Sequence, residues 1–186
     1  MTEPERRLTL VTGEIAVLRP LTADDGPALQ DLLAHMSPTS VYRRFAQRLE
    51  RLEGRLLEQL LNVDGRRRFA VVAEVGGQIV AVARYASQGD RRADVALAVD
   101  DQYQHMGLGS ALLEALAAHA LDTGVRHLAA DVLADNRPAL RMLTNSGFAE
   151  THRLEGGFVH FDLRIGAPEA GSEDATYSAG GTPPSA

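Results

Sequence analysis

The residues best placed for chemistry lie together in Val99-Asp100-Asp101-Gln102-Tyr103-Gln104-His105-Met106-Gly107-Leu108-Gly109-Ser110-Ala111. Gly107 and Gly109 separate a strand-like run from a strongly amphipathic one. A helix that starts there presents backbone N–H groups without intrahelical partners, and a partial positive charge. Glycine lets a phosphate reach those amides without meeting a Cβ. The combination suits a diphosphate cradle, and it suits equally a tight turn that only starts a helix. Leu112 breaks the G-x-G-x-x-G dinucleotide spacing, and no Gly-Lys-Ser/Thr is present for a P-loop.

Two carboxylates stand close to this segment in the pattern. Asp94 opens the run Asp94–Val99, whose alternation sends Val95, Leu97 and Val99 to one face and Asp94, Ala96 and Ala98 to the other. The second face is small, with one carboxylate at its edge. Asp131 falls within Leu128-Ala129-Ala130-Asp131-Val132-Leu133, where a carboxylate is costly unless paired or in use. His105, His119, His127, His152 and His160 show no metal-ligand spacing, so no metal is expected. His119 lies on an apolar stripe and reads as a packed core residue. The chain has no cysteine and no evident Ser-His-Asp set, so no acyl-enzyme is expected.

The elements that must position these groups alternate along the chain. Ile15–Leu18 reads as a strand, and Thr22–Asp25 as a capped helix start. Leu29, Leu32, Leu33 and Met36 then share one helical face, which Pro38 interrupts. Two more helices are expected over 41–49 and 52–62. The runs 69–74 and 78–84 flank Gly76-Gly77 as a hairpin. Leu108, Ala111, Leu112, Ala115, Leu116 and His119 form the stripe of the longest helix, closed by Gly124. A strand at 127–133, a helix at 137–146 and a hairpin of 149–154 with 158–165 complete the order. Such mixing predicts an α/β (α+β) sheet with helices on both faces.

Composition sets the outer limits. With 186 residues, 45% of them hydrophobic, the chain suits one domain. Acidic residues exceed basic ones, 25 to 19, which argues against nucleic acid and is compatible with cationic partners or with solubility alone. The charged start, Met1 to Arg7, precedes no signal-like apolar segment, and no apolar run approaches about 18 residues, so no membrane span is expected and a cytoplasmic location is the default. From Gly166 to Ala186 there is no Leu, Ile, Val, Phe or Met, so a disordered tail is expected. The organisation is then an extension at 1–13, a domain at 14–165 and a tail at 166–186.

Gln104-x-x-Gly107-x-Gly109 resembles the Q/R-x-x-G-x-G/A acyl-CoA loop of the GNAT N-acetyltransferase superfamily. Asn136-x-x-Ala139-Leu140-x-x-Leu143-x-x-x-Gly147-Phe148 is similar to the second signature of that family, and Leu18-Arg19-Pro20-Leu21-x-x-Asp24-Asp25 to a common opening. The resemblance implies the GNAT fold: a mixed, mostly antiparallel sheet whose parallel strands at 94–99 and 127–133 splay apart around acetyl-CoA. It implies pantetheine pairing along Leu97 and Val99, with backbone donors near Leu97 and Ala98 at the thioester carbonyl. The diphosphate would rest on Gln104, His105, Met106, Gly107, Leu108, Gly109 and Ser110. Asn136 would touch the cofactor or brace the next helix. Many relatives read Gln-Gly-Arg-Gly where this chain reads Gln104-His105-Met106-Gly107, and many carry at position 143 a tyrosine that protonates the leaving thiolate, where Leu143 stands.

Asp94 is the first candidate base, at the strand start where lysine-acetylating relatives carry glutamate; Asp131, a carboxylate inside an apolar run on the neighbouring strand, is the second. Ser40-x-Tyr42-x-Arg44-Phe45 resembles a helix of bacterial protein lysine acetyltransferases, making Tyr42 and Phe45 candidate substrate-binding residues; they equally suit packing beneath the sheet. No fused regulatory domain of the kind found in that group fits here. The expectation is acetyl transfer from acetyl-CoA to a primary amine, a protein lysine, by direct attack in a monomer or homodimer. The alternatives are a small-molecule amine acceptor and a degenerate acyl-CoA-binding sensor.

Overall fold

The structure, a computed structural model, describes residues 5–89 and 91–166; the expected tail beyond Gly166 lies outside the described residues. The chain runs β1 (Arg6–Thr9), β2 (Ile15–Pro20), α1 (Gly26–His35), α2 (Pro38–Phe45), α3 (Gly54–Leu61), β3 (Arg68–Val75) and β4 (Gln78–Gly89). It continues through β5 (Arg92–Val99), α4 (Leu108–Asp122), β6 (His127–Leu133), α5 (Arg137–Thr144), β7 (Ala149–Glu155) and β8 (Phe158–Arg164). One sheet holds all these strands in the order β1-β2-β3-β4-β5-β6-β8-β7. Among the described residues, only β5 and β6 are parallel neighbours.

Alternation along the central strands divides the core in two. In β3, Phe69, Val71 and Ala73 pack with α4 and α5, while Ala70 and Val72 pack with α1, α2 and α3. Both faces of β3 are therefore apolar, as a strand buried on two sides requires. The α4 stripe is wider than the periodicity predicts: Leu113, Ala117 and Ala120 are buried beside Leu108, Leu112 and Leu116. Fully burying each leucine contributes about 1.5–3 kcal/mol. His119 is a packed residue: its ring stacks on Phe69 at 3.6 Å between centroids, and Nδ1 lies 3.0 Å from the Tyr85 hydroxyl.

Three local results differ from the sequence expectation. Arg6–Thr9 forms an edge strand paired to β2, and Leu10 is buried, within the stretch expected as an extension. Pro38 begins a helix as well as separating two. The Ser37 hydroxyl accepts from the Ser40 N–H at 3.2 Å, and proline fits the first turn, where its missing N–H costs nothing. That helix ends at Ala46, whose φ is 53°, earlier than the expected 49. The opening Leu18–Asp25 is a structural fastening. The Arg19 guanidinium donates to both Asp25 carboxylate oxygens, at 2.8 and 2.7 Å, and also bonds Glu74. Chiefly through Arg19, and against burial, the Asp25 carboxyl is held below its ordinary value.

Candidate active site

The parallel pair carries the central feature. β5 and β6 match Arg92 to His127, Ala93 to Leu128 and Asp94 to Ala129, and pair no further. From Val95 to Val99 the β6-facing edge of β5 has no strand partner among the described residues. The splay therefore begins one residue beyond Asp94. β8 holds the other edge of β6 along its whole length, from His127–Arg164 to Leu133–Phe158, so β6 can leave β5 without unravelling.

A cleft of about 490 Å³ opens at the divided end, lined by Leu97, Ala98 and Val99 of β5 and by Gln104, His105, Gly107, Gly109 and Ser110 at the start of α4. Gly107 is the N-cap of α4 with φ 86°, a conformation that favours glycine. A Cβ added there meets nothing within 4 Å. Gly109 serves a different purpose: a Cβ would stand 2.7 Å from Met142 Sδ, so its absence lets α4 and α5 approach. His105 also has a left-handed φ, 64°, at the position where glycine is common in the resembling loops. Met106 and Leu108 turn into the core and leave the cleft wall to their neighbours.

Side chains fix this loop to α2. Gln104 Nε2 donates to the Val99 carbonyl and the Ser40 hydroxyl, each at 3.2 Å. Asp101 accepts from the Ser37 N–H at 2.8 Å and from the Ser37 and Ser40 hydroxyls at 2.9 and 2.8 Å. Burial raises the Asp101 carboxyl, but these donors outweigh it and hold it below its ordinary value. Burial, with Glu14 and Asp100, raises the Tyr103 phenol, which stays protonated at the cleft wall.

The far wall comes from α5. Asn136 caps it, accepting from the Ala139 N–H at 3.4 Å, and lines the cleft as well. Leu143 is buried in the core, so the position where relatives carry a tyrosine does not face the cleft here. Sequence reasoning passed over the wall's cations: Arg43 and Arg44 from α2, Arg137 and Arg141 from α5. Among the described residues no Asp or Glu lines this cleft. The signal available in the sequence was the pair of arginines at each helix, four apart in α5 and adjacent in α2.

The remaining candidates are dispersed. Asp94 is exposed on the face shared with Ala96 and Ala98, and lies outside the cleft wall. Asp131 is exposed across the divide on β6, its carboxylate 2.6 Å from His160 Nδ1, so pairing and exposure explain it within an apolar run. Phe45 lies under the Arg44 guanidinium, and Tyr42 is 47% exposed outside the cleft. The sheet does gather His127, Glu150 and Asp162, which no sequence spacing indicates. Arg92 pairs with Asp162 at 2.8 Å and Arg164 with Glu150, so arginines already balance both carboxylates.

Comparison with known proteins bears on this region directly. The acetyltransferase (GNAT) family model matches residues 29–148. Acetyltransferase Pat of Mycolicibacterium smegmatis is 35% identical over 140 residues, which cover 73% of this chain and 42% of that protein. This chain thus spans less than half the length of that relative. Acetyltransferase PA5475 of Pseudomonas aeruginosa is 28% identical over 145 residues, 75% of this chain and 78% of that protein. The crystal structure of the GNAT domain of S. lividans PAT superposes with a TM-score of 0.80 at 31% identity, covering 86% of this chain and 96% of that one. The family match runs from within α1 to just past α5 and so takes in both walls of the cleft: the chain belongs to the acetyltransferase (GNAT) family.

Proposed function

We propose that this chain transfers acetyl from acetyl-CoA, its co-substrate, to the side-chain amine of a protein lysine by direct attack. One observation carries the reading: a single cleft contains both the unpaired end of β5 and the amide-rich N-terminus of α4. In this reading the diphosphate rests on the N–H groups of residues 104–110. Arg137 and Arg141 supply positive charge that the Gln104-His105-Met106-Gly107 loop lacks. Pantetheine runs along Leu97 and Val99 as an added strand would, and backbone donors at Leu97 and Ala98 polarise the thioester carbonyl.

A lysine ammonium, with a pKa near ~10.4, must lose a proton before it can attack. Asp94 takes that proton along a chain of several waters, since one water spans only two hydrogen bonds. It lies four residues from Ala98, roughly 13 Å along an extended strand, and the intervening side chain on its face, Ala96, is small. Nitrogen attacks the carbonyl carbon, the C–N bond forms, and the C–S bond breaks with its electrons leaving on sulfur. A free thiol has a pKa near ~8.5, so the thiolate departs without a strong acid, consistent with Leu143 facing the core. Asp131 and its partner His160 are the second candidate for the proton's path.

The lysine acceptor rests on the α2 resemblance, on that helix flanking the cleft, and on likeness to the PAT domain. A thiol-release assay with acetyl-CoA tests it. Lysine-bearing proteins should turn over faster than polyamines or amino sugars. The reverse order replaces the acceptor by a small molecule. Tight coenzyme A binding without turnover on any amine replaces the enzyme by a sensor.

A further inference from the structure

A second cavity, of about 30 Å³, adjoins the cleft and shares Met36, Arg44 and Ala98 with it. Its remaining walls are apolar, with Leu29, Leu32 and Val82 among them, except for Arg84. Among the described residues no carboxylate lines either cavity. Arg44 stands at their junction. Its Nε is sealed from solvent and has no hydrogen-bond partner. Its guanidinium carbon lies 4.7 Å from the Phe45 ring centroid, an aromatic face but not a counter-ion.

The charges around Arg44 are of its own sign. Burial, and then Arg84, push its pKa down to about 10, which leaves it cationic at neutral pH. Arg84 is itself lowered by burial and by Arg68, and donates to the Gln59 carbonyl at 2.8 Å. Arg43 differs: it reaches across the cleft to Asp135, 3.9 Å from Nε to Oδ1. A buried cation is costly unless an anion meets it. The protein supplies the anion at Arg43 and none of the described residues supplies it at Arg44.

We infer that Arg44, backed by Arg84, receives a carboxylate that one of the two substrates brings into the acyl-transfer centre. The carboxylate is either the free end of a dicarboxylic acyl group on coenzyme A or a group borne by the acceptor close to its amine. This inference rests on the acyl-transfer reading, because Ala98 is both a wall of the small cavity and a residue placed by that reading at the thioester carbonyl. The apolar walls fit the short carbon chain between the transferred carbonyl and the carboxylate. The guanidinium fits the carboxylate itself, through paired N–H donors.

The test compares matched pairs on the whole chain. One arm sets succinyl-CoA against butyryl-CoA with a fixed amine. The other sets glutamyl-lysine against glutaminyl-lysine peptides with acetyl-CoA. The charged member of one pair should be favoured in kcat/KM by about tenfold or more, and Arg44→Gln should bring that ratio near one. Arg44→Lys, which keeps the charge, should retain part of the preference; thermal melting checks that both variants fold. Calorimetric titration with succinyl- and butyryl-CoA reads the first arm without turnover. Ratios near one in both arms of the native protein overturn the inference, as does a preference that survives Arg44→Gln. A protein that binds no acyl-CoA refutes the underlying acyl-transfer reading instead, a result the calorimetry separates from a flat preference.

Discussion

Replacing Gly107 by valine isolates the backbone cradle. The native φ of 86° is left-handed, and an added Cβ meets no atom within 4 Å, so the penalty is conformational and not steric. A left-handed L-residue costs about 1–2 kcal/mol, with β-branched residues at the upper end. Loss of glycine's unfolded-state freedom offsets part of that, up to about 1 kcal/mol. The fold should survive with a melting temperature lowered by at most roughly 8 °C, at about 2–4 °C per kcal/mol of net cost for a chain of this size. Affinity should suffer far more. The strained peptide relaxes by rotating, which turns loop amides away from the diphosphate. Each charge-assisted hydrogen bond is worth about 1.5–3 kcal/mol, so losing two weakens coenzyme A binding by more than about a hundredfold. Gly124→Val is the control: φ is 91°, its surroundings are equally open, and it lies at the other end of α4. Calorimetry should show lost affinity for the first variant and native affinity for the second, at similar cost in melting temperature. Native affinity in Gly107→Val would refute the cradle.

Three further outcomes are expected. Asp94→Ala should lower turnover at pH 7 at least about tenfold while leaving acetyl-CoA affinity within about twofold, with the residual rate climbing as pH rises toward the amine's own pKa; an unchanged rate at pH 7 removes Asp94 from the reaction. His105→Gly should relieve a left-handed cost of about 1–2 kcal/mol against glycine's entropy of about 0.5–1 kcal/mol, leaving stability equal or slightly higher, and a tenfold loss of coenzyme A affinity would show that the imidazole makes the contact. The depressed Asp101 carboxyl stabilises the fold fully above its ordinary pKa, near ~3.9, and that contribution disappears as pH falls through the lower folded value. Asp101→Asn should therefore melt below the native protein at pH 6, with the gap narrowing once the pH falls below the ordinary carboxylate value near ~3.9; a gap independent of pH would mean that the carboxylate's charge does not matter.

Periodicity revealed the alternating strands and the long helix because those segments bury whole faces. Phe69, Val71 and Ala73 against Ala70 and Val72 is a pattern that only a doubly covered strand satisfies. The β1 strand was illegible because Arg6–Thr9 lies on an edge and owes its conformation to pairing with β2, not to its own alternation. Helix boundaries moved for local reasons: Ser37 and Pro38 make a start that outweighs the break read at Pro38, and Ala46 terminates α2 in a left-handed turn. At the site, the glycine spacing located the start of α4, since a helix N-terminus is a local property. The splay was legible only through the resemblance, because loss of pairing after Asp94 depends on β8 holding β6 from the other side. Side-chain roles within the loop were less legible still: Met106 and Leu108 belong to the core, and Gln104 is occupied in joining Val99 to Ser40.

The charge distribution shows what an average conceals. The chain carries a formal charge of −6, which on composition alone is compatible with drawing in cationic amines. Yet four arginines wall the cleft, and no carboxylate among the described residues does so. The acidic side chains lie elsewhere. Asp25 and Glu74 hold Arg19, Asp162 and Glu150 hold Arg92 and Arg164, and Asp101 fastens α2. Most of these acids are engaged in holding the architecture, while at the cleft wall Arg43 meets Asp135 and Arg44 has no carboxylate partner among the described residues. A cationic wall attracts the phosphates of an acyl-CoA and repels an ammonium, so it also favours the neutral form of an amine held close to it. In the proposed reaction, the arrangement that would bind the donor thus lowers the demand on Asp94 as a base. If so, acetyl transfer by Arg44→Gln should depend more steeply on pH around neutrality than transfer by the native protein, and matched pH–rate profiles decide the matter.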